Sequence, residues 1–181
     1  MTVTDVPPAR VLLVGMMGSG KSSVGNALAR ATDWPFIDND ALVARATGIV
    51  TPELLHERGE RALRAAESGA LTEALKIAPP IIAGVAGGVV TGADDRDRLR
   101  DGGFVVWLRA RLETLVRRVG SGRGRPWLQG DPEGAMRRLY DGRESLYAEV
   151  AACVIDVDDA TPEAVASRIV EQLREAPAAR A

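Results

Sequence analysis

Residues 11–31 read VLLVGMMGSGKSSVGNALARA, and this stretch decides the fold. It opens with an apolar run, residues 11–14, that is typical of a strand buried on both faces of a parallel sheet. From residue 21 onward the apolar residues recur at helical intervals, which predicts a helix with one apolar face. The loop between them matches the pattern G-x-x-x-x-G-K-S/T with Gly15, Gly20, Lys21 and Ser22. A strand, a glycine-rich loop and a helix in this order predict a phosphate-binding loop, or P-loop.

A loop of this kind binds phosphate mainly through its backbone. The glycines let the chain curl so that successive N–H groups point at the anion, and the dipole of the following helix adds positive potential. We expect Lys21 to contact the β- and γ-phosphates of ATP and to act in catalysis, and the Ser22 hydroxyl to bind Mg²⁺. The predicted nucleotide contacts from this loop are Gly18, Ser19, Gly20, Lys21, Ser22 and Ser23.

The composition limits the class of protein. A chain of 181 residues fits one α/β domain, and 46% apolar and 27% charged residues are usual for a soluble globular protein. No segment has the roughly 20 apolar residues of a membrane span, and residues 1–10 do not resemble a secretory signal, so we expect a cytoplasmic protein. The 23 basic and 25 acidic residues are mixed along the chain, which argues against a nucleic acid partner. The single cysteine, Cys153, has apolar neighbours and is expected to be buried.

Strand and helix signals alternate along the chain. The predicted strands cover residues 11–14, 35–37, 81–83, 104–108 and 154–157. The predicted helices cover residues 21–31, 41–46, 60–75, 94–100 and 112–119, and a last helix follows an N-cap at Thr161. This alternation predicts a parallel sheet with helices on both faces and a ligand site at the carboxyl ends of the strands.

One segment interrupts the alternation. Residues 120–130 read GSGRGRPWLQG, which is rich in glycine and arginine and has no apolar periodicity. A disordered linker is one interpretation. We favour a mobile flap, or lid, over residues 119–131, because helical patterns flank the segment closely on both sides.

Two aspartates follow the second predicted strand. Asp38 and Asp40 occur in the run IDND, which we read as the end of that strand. Aspartates in this position often cap helices. Since a P-loop needs an acidic partner for its metal, we expect one carboxylate to support Mg²⁺ and the other to orient an acceptor hydroxyl.

The third predicted strand leads into a second glycine-rich turn. Gly87 and Gly88 either permit close approach of the backbone to a ligand or form an ordinary tight turn, and the residues alone leave both open. Arg64 is predicted on the helix after Gly59, and Arg143 on the helix after the flap. Taken singly, each arginine is typical of a solvated helix surface.

Together, these pieces resemble the shikimate kinase family. The resemblance runs from residue 11 to residue 173 through GMMGSGKSSVG, FIDND, GERALRAAE, AGGVV, VVWL, RGRPWL, RESLYAEVA and VIDVD. It implies a P-loop fold like that of nucleoside monophosphate kinases, with a five-stranded parallel sheet flanked by helices. It further implies one domain over residues 1–181, a substrate-binding region at 39–68 and a lid over ATP. The implied reaction transfers the γ-phosphoryl group of ATP to the 3-hydroxyl of shikimate.

The resemblance also implies roles on the acceptor side. Asp40 would contact the acceptor hydroxyl and could act as its base. Arg64 and Arg143 would hold the carboxylate of shikimate, a task that suits planar guanidinium groups. Gly87 and Gly88 would offer backbone N–H groups to the same substrate.

On the nucleotide side the resemblance implies three further roles. Asp38 would support the Mg²⁺ site together with Ser22. Arg125, in the run RGRPWL, would reach from the lid to the transferring phosphoryl group and act in catalysis. Arg118 would approach ATP. The expected partners are therefore ATP and shikimate, and we expect a monomer.

The sequence departs from the family pattern at several positions. Ala86 stands where the family has the first of three glycines, Trp127 replaces a leucine, and Leu55 and Leu63 stand where aromatic residues commonly border the substrate. These changes leave open a kinase for another polyol or hydroxy acid, or a weakly active regulatory relative. A GTPase is disfavoured, because neither lysine follows an asparagine as the guanine-reading motif requires.

Overall fold

The computed structural model describes residues 9–120 and 130–176, and in these residues a single parallel sheet organises the chain. The sheet has five strands in the order β2-β3-β1-β4-β5. The strands are β1 Arg10–Val14, β2 Phe36–Asp38, β3 Ile81–Gly84, β4 Phe104–Arg109 and β5 Cys153–Asp156. The sheet that the alternation predicts is thus confirmed.

Helices connect the strands. They are α1 Lys21–Thr32, α2 Asn39–Thr47, α3 Thr51–Lys76, α4 Ala93–Gly102, α5 Leu112–Val119, α6 Pro132–Asp141, α7 Glu144–Val150 and α8 Pro162–Glu175. The predicted cap of α8 is present, since the Thr161 hydroxyl oxygen accepts from the N–H of Ala164 at 3.2 Å. The predicted helix start at residue 60 agrees with a break in α3: Gly59, at φ 77° and ψ 176°, is not helical, and a further helical segment begins before it at Thr51.

The position of β1 in the sheet explains its apolar run. It pairs with β3 on one side and β4 on the other, so that Leu12 lies between Ala83 and Val105. Helices cover both faces, which leaves residues 11–14 almost fully inaccessible to solvent. The edge strand β5 instead alternates between buried Cys153 and Ile155 and exposed residues, because only one of its faces packs on the core.

The crossovers place the helices in two layers. The chain moves one way across the sheet from β1 to β2 and the opposite way from β3 to β4, so right-handed crossovers put α1 and α4 on opposite faces. Helix α8 packs against α1, whereas α7 packs against α4 and β4. The loop after β1 and the turn after β3 consequently meet at one edge of the sheet, where parallel α/β folds bind their ligands.

Candidate active site

A cleft of about 760 Å³ opens at the carboxyl edge of the sheet. Its walls come from four regions: the loop after β1, the β2–α2 junction, the first part of α3 and the turn after β3. Further lining comes from Arg118 on α5, Leu139 on α6, Arg143 before α7, and Val157, Ala160, Pro162 and Val165 around the start of α8. The structure therefore brings the predicted site residues of the described ranges into one cleft.

The phosphate end of the cleft is the loop over residues 15–20. Gly15, Gly18 and Gly20 have positive φ angles of 146°, 82° and 91°, which residues with a Cβ rarely adopt. The Lys21 ammonium folds back across the loop and donates to the carbonyl oxygens of Gly15 at 2.8 Å and Met16 at 3.1 Å. The loop thus curls around its own lysine, with α1 beginning directly behind it.

Lys21 is electrostatically poised for an anion. Burial in the cleft lowers its pKa to about 8, although Asp38 and Asp40 nearby favour the charged form and oppose this shift. The two carbonyl groups only partly replace the water that the ammonium has lost. A phosphate group beside Lys21 would favour its charged state, because an opposite charge raises the pKa of a buried amine.

Asp38 links the P-loop to the β2–α2 junction. Its Oδ2 accepts from the Ser22 hydroxyl at 2.5 Å, and its Oδ1 accepts from the backbone N–H of Asp40 at 3.3 Å. Asp38 is therefore both the N-cap of α2 and the neighbour of the predicted metal ligand. The hydroxyl and the carboxylate are hard oxygen donors at one point of the cleft, a donor set that fits Mg²⁺.

Asp40 lies in a different element from the one predicted. Strand β2 ends at Asp38, and Asp40 falls in the first turn of α2, because the cap at Asp38 starts the helix immediately. Its exposed carboxylate accepts from the Thr51 hydroxyl at 2.9 Å through Oδ1. Among the described residues this side chain forms no ion pair, so Oδ2 is available to an acceptor hydroxyl.

Arg64 is held by carboxylates on its own helix. Its guanidinium lies 2.6 Å from Glu67 and 3.2 Å from Glu60. Glu67 is only 5% exposed, and this burial raises the pKa of its carboxyl group while Arg64 opposes the shift. A Cβ atom on Gly88 would overlap the Arg64 guanidinium, so glycine is required for this approach.

Arg143 approaches the same turn from the other side. The sequence predicts it on a helix, but it lies at the junction between α6 and α7, where its carbonyl accepts the first hydrogen bond of α7. The residue is 7% exposed, and no carboxylate of residues 9–120 or 130–176 pairs with it. A Cβ on Gly87 would lie 3.9 Å from its Nη1. A buried guanidinium without a carboxylate favours an anionic ligand.

The turn at Gly87 and Gly88 joins the two ends of the cleft. A Cβ on Gly87 would lie 3.1 Å from the carbonyl oxygen of Gly15, the same oxygen that binds Lys21. In the part of the chain that the structure describes, neither N–H group of this glycine pair donates a hydrogen bond. Gly87 and Gly88 are the central residues of a tight turn closed by the N–H of Val89, which donates to the carbonyl of Ala86 at 3.1 Å. Such a turn leaves both glycine N–H groups able to donate to a ligand close to the P-loop.

Two nucleotide-side predictions have different outcomes. Arg118 on α5 contacts the P-loop, with Nη1 3.4 Å from the Gly18 carbonyl, and it donates through Nη2 to Val157 at 2.7 Å. Arg125 and most of the predicted lid lie in residues 121–129, outside the described residues. Their roles stay predictions.

The structure changes the interpretation of the departures from the family pattern. Ala86 lines the cleft, but Leu55 and Leu63 do not, and Leu63 is fully buried in the core. The buried face of α3 runs through Leu63 and Leu71, which turns that leucine away from the ligand. Thr51 and Pro52 at the start of α3 form the wall instead.

Sequence reasoning missed three residues that touch the site. Thr51 contacts Asp40, Glu67 pairs with Arg64, and Tyr147 donates to the carbonyl of Gly87 at 2.7 Å. Two of them could have been found from the sequence, because Glu67 lies three residues after Arg64 and Tyr147 four residues after Arg143, spacings that place side chains on the same helical face. Thr51 had no such signal, since its contact depends on how α2 packs against α3.

Comparisons with known proteins agree with this geometry. The family model for shikimate kinase matches residues 17–174. The chain belongs to the shikimate kinase family. Shikimate kinase of Bordetella pertussis is 42% identical over 153 residues, which cover 84% of this chain and 71% of that protein. Shikimate kinase of Halorhodospira halophila is 37% identical over 94% of this chain and 96% of its own length.

A solved shikimate kinase has the same fold. The structure from Acinetobacter baumannii, in complex with shikimate, superposes with a TM-score of 0.88 at 32% identity and covers 92% of this chain and 93% of its own. The protein is accordingly an ATP-dependent kinase that acts on an alcohol group. Within the described residues, no helix is long and apolar enough to cross a membrane.

Proposed function

We propose that this shikimate kinase family member transfers the γ-phosphoryl group of ATP to the 3-hydroxyl of shikimate, giving shikimate 3-phosphate and ADP. The observation that carries the proposal is the convergence of Arg64 and Arg143 on the Gly87–Gly88 turn beside the P-loop. These groups come from three distant parts of the chain. Together they form a site for an acidic acceptor next to a site for phosphates.

The acceptor end favours a carboxylate on electrostatic grounds. The charge of Arg64 is balanced by Glu67 and Glu60, whereas Arg143 has no carboxylate partner among residues 9–120 and 130–176. One anionic group between the two guanidinium groups would balance the remaining charge and accept charge-assisted hydrogen bonds from both. The N–H groups of Gly87 and Gly88, which donate to no group of the described residues, add neutral donors at the same place.

The reaction is an in-line displacement at phosphorus. The acceptor oxygen bonds to the γ-phosphorus while the bond from that phosphorus to the β,γ-bridging oxygen breaks, and ADP leaves with the electron pair. Asp40 takes the proton of the acceptor hydroxyl through its available oxygen. Lys21, and by the family resemblance Arg118 and Arg125, stabilise charge on the phosphate oxygens.

Mg²⁺ fits the oxygen donors at the P-loop. Ser22 and Asp38, 2.5 Å apart, would hold the ion, directly or through its water shell. The remaining ligands of the ion would be water molecules and the phosphates of ATP, as is usual for Mg²⁺. When bound, Mg²⁺ neutralises charge on the β- and γ-phosphates.

The remaining parts of the proposal concern the whole molecule. We take residues 1–181 as one kinase domain, with the substrate-binding region at 39–68 and the lid at 119–131, acting as a monomer in the cytoplasm. The departure at Ala86, which lines the cleft, supports a second candidate function, a kinase for another polyol or hydroxy acid. Retention of Lys21, Ser22 and Asp38 favours an active enzyme over a regulatory relative.

A coupled assay of ADP release tests the acceptor. The panel contains shikimate, its carboxamide, and open-chain hydroxy acids such as gluconate. We expect turnover with shikimate to exceed turnover with the other compounds by about tenfold or more in kcat/KM. Efficient use of an open-chain acid with no activity on shikimate would show that the acceptor is wrong, although the chain would still be a kinase.

A further inference from the structure

We propose that Tyr147 is a positioning residue for the acceptor. Its hydroxyl holds the Gly87–Gly88 turn and the Arg143 guanidinium in one fixed arrangement, so that both meet the same substrate carboxylate. The inference rests on the proposed function, because it concerns the acceptor end of that site.

The tyrosine hydroxyl lies between the two groups. Tyr147 is 1% exposed, and its hydroxyl donates to the carbonyl oxygen of Gly87 at 2.7 Å. A Cβ on Gly87 would lie 3.1 Å from this hydroxyl and 3.9 Å from Nη1 of Arg143. Tyr147 follows Arg143 by four residues at the start of α7, which places the two side chains on the same face. Turn, hydroxyl and guanidinium therefore form one cluster.

The ring of Tyr147 is anchored to the centre of the fold. It stacks on Trp107, with ring centroids 5.8 Å apart and planes inclined by 25°. Trp107 belongs to β4, which pairs directly with the central strand. Burial raises the pKa of the Tyr147 hydroxyl to about 12, so the group remains a proton donor at neutral pH. The sheet consequently fixes the position of the hydroxyl that binds Gly87.

The hydrogen bond also sets the direction of a substrate donor. In a trans peptide unit the carbonyl of Gly87 and the N–H of Gly88 point in opposite directions. With the carbonyl turned toward Tyr147, the N–H of Gly88 must point away from it, and in the described chain that N–H has no other partner. One hydroxyl thus orients a backbone donor and lies against a guanidinium, and both are proposed contacts of the acceptor.

The test compares the only two tyrosines of the chain. Tyr147→Phe removes the hydroxyl at the turn. Tyr140→Phe removes a hydroxyl that donates to Glu144 at 3.0 Å and lines no part of the cleft. For Tyr147→Phe we expect KM for shikimate to rise by about tenfold or more while KM for ATP changes by less than about twofold. The preference for shikimate over its carboxamide should also fall. Tyr140→Phe should change none of these quantities.

A purely structural role gives a different result. It would lower the melting temperature and the active fraction while leaving the KM for each substrate and the acid preference unchanged. That result, or an equal rise of both KM values, would overturn the proposal. If Tyr147→Phe does not fold, Gly87→Ala is used instead, because its added methyl would press on the Tyr147 hydroxyl. An unchanged KM for shikimate in that variant would also overturn the proposal.

The same measurements separate this inference from the proposed function. If the unmodified protein does not phosphorylate shikimate, the proposed function fails. The KM values of the two tyrosine variants are then measured with the acceptor that the protein does use. If the unmodified protein is active on shikimate and Tyr147→Phe has the same KM values, only the positioning role fails.

Discussion

The two ends of the cleft are built in different ways. The phosphate end consists of one continuous segment, in which Lys21 contacts carbonyl groups five and six residues earlier. The acceptor end is assembled from α3, the turn after β3 and the α6–α7 junction, which are far apart in the sequence. A local segment can be recognised by its pattern, whereas an assembled site depends on packing that the pattern does not show.

The two ends also differ in how their cations are stabilised. Lys21 is surrounded mainly by backbone carbonyls, so a bound phosphate would stabilise its positive charge. Arg64 is already paired with two carboxylates, whereas Arg143 has no ion-paired carboxylate within residues 9–120 and 130–176. Variants should therefore affect catalysis at one end and acceptor discrimination at the other.

The largest effect is expected from Lys21→Met. Removing the ammonium deletes charge stabilisation of the transferring phosphoryl group, so kcat should fall by about 10²- to 10³-fold. The fold should survive, because in the described part of the chain the Lys21 ammonium donates to two loop carbonyls and forms no ion pair with the core. Steady-state kinetics and thermal melting measure both quantities. Lys76→Met, which changes the only other lysine and affects a surface pair with Glu73, is the control and should remain fully active. A loss in kcat of less than about tenfold would contradict this role for Lys21.

Arg64→Ala should have the next largest effect, and at the opposite end. A charge-assisted hydrogen bond contributes roughly 1.5 to 3 kcal/mol, so kcat/KM for shikimate should fall by about tenfold or more. Because the carboxamide lacks the charge, its kcat/KM should fall less, which shrinks the acid preference. Arg61→Ala, on the exposed side of the same helix, serves as control. If the unmodified enzyme phosphorylates shikimate and its carboxamide equally well, Arg64 and Arg143 do not bind the substrate carboxylate.

A pH experiment tests whether Lys21 gains a proton when phosphate binds. The pKa of Lys21 in the free protein is lowered to about 8, and bound phosphates should raise it. The complex then holds more protons than the free protein near pH 8, so affinity for a non-hydrolysable ATP analogue should fall as pH rises, by at most about tenfold per pH unit. Calorimetry in buffers of different ionisation enthalpy measures the proton uptake. Equal uptake by Lys21→Met would assign the effect to another group.

The smallest effect is expected at the start of α3, where Thr51 contacts Asp40. Thr51→Val removes the hydroxyl that holds Oδ1 of Asp40, and one lost hydrogen bond of about 1 kcal/mol should lower kcat with shikimate severalfold. Thr51→Ser should retain most activity. Thr47→Val is the matched control, because the Thr47 hydroxyl donates only to backbone carbonyls. A serine variant as impaired as the valine variant would show that shape matters here and the hydroxyl does not.

The sequence alone determined the sheet, the P-loop and the family. These follow from short-range features: apolar runs of strand length, helical periodicity, and the spacing of glycine, lysine and serine around Lys21. The same local rules placed Cys153 in the core, where the structure has it. The resemblance supplied Arg64 and Arg143 as partners, which periodicity alone left as surface residues.

Only the tertiary structure decided how the acceptor end is assembled. The packing of α2 on α3 sets which face of α3 meets the cleft. For this reason Leu63 points into the core and Thr51 contacts Asp40. The tertiary structure also buried Arg143 at a helix junction and brought Tyr147 to Gly87 across sixty positions of sequence. Hydrogen bonds between distant residues leave no periodic trace in the chain, since their geometry exists only after the strands and helices have packed.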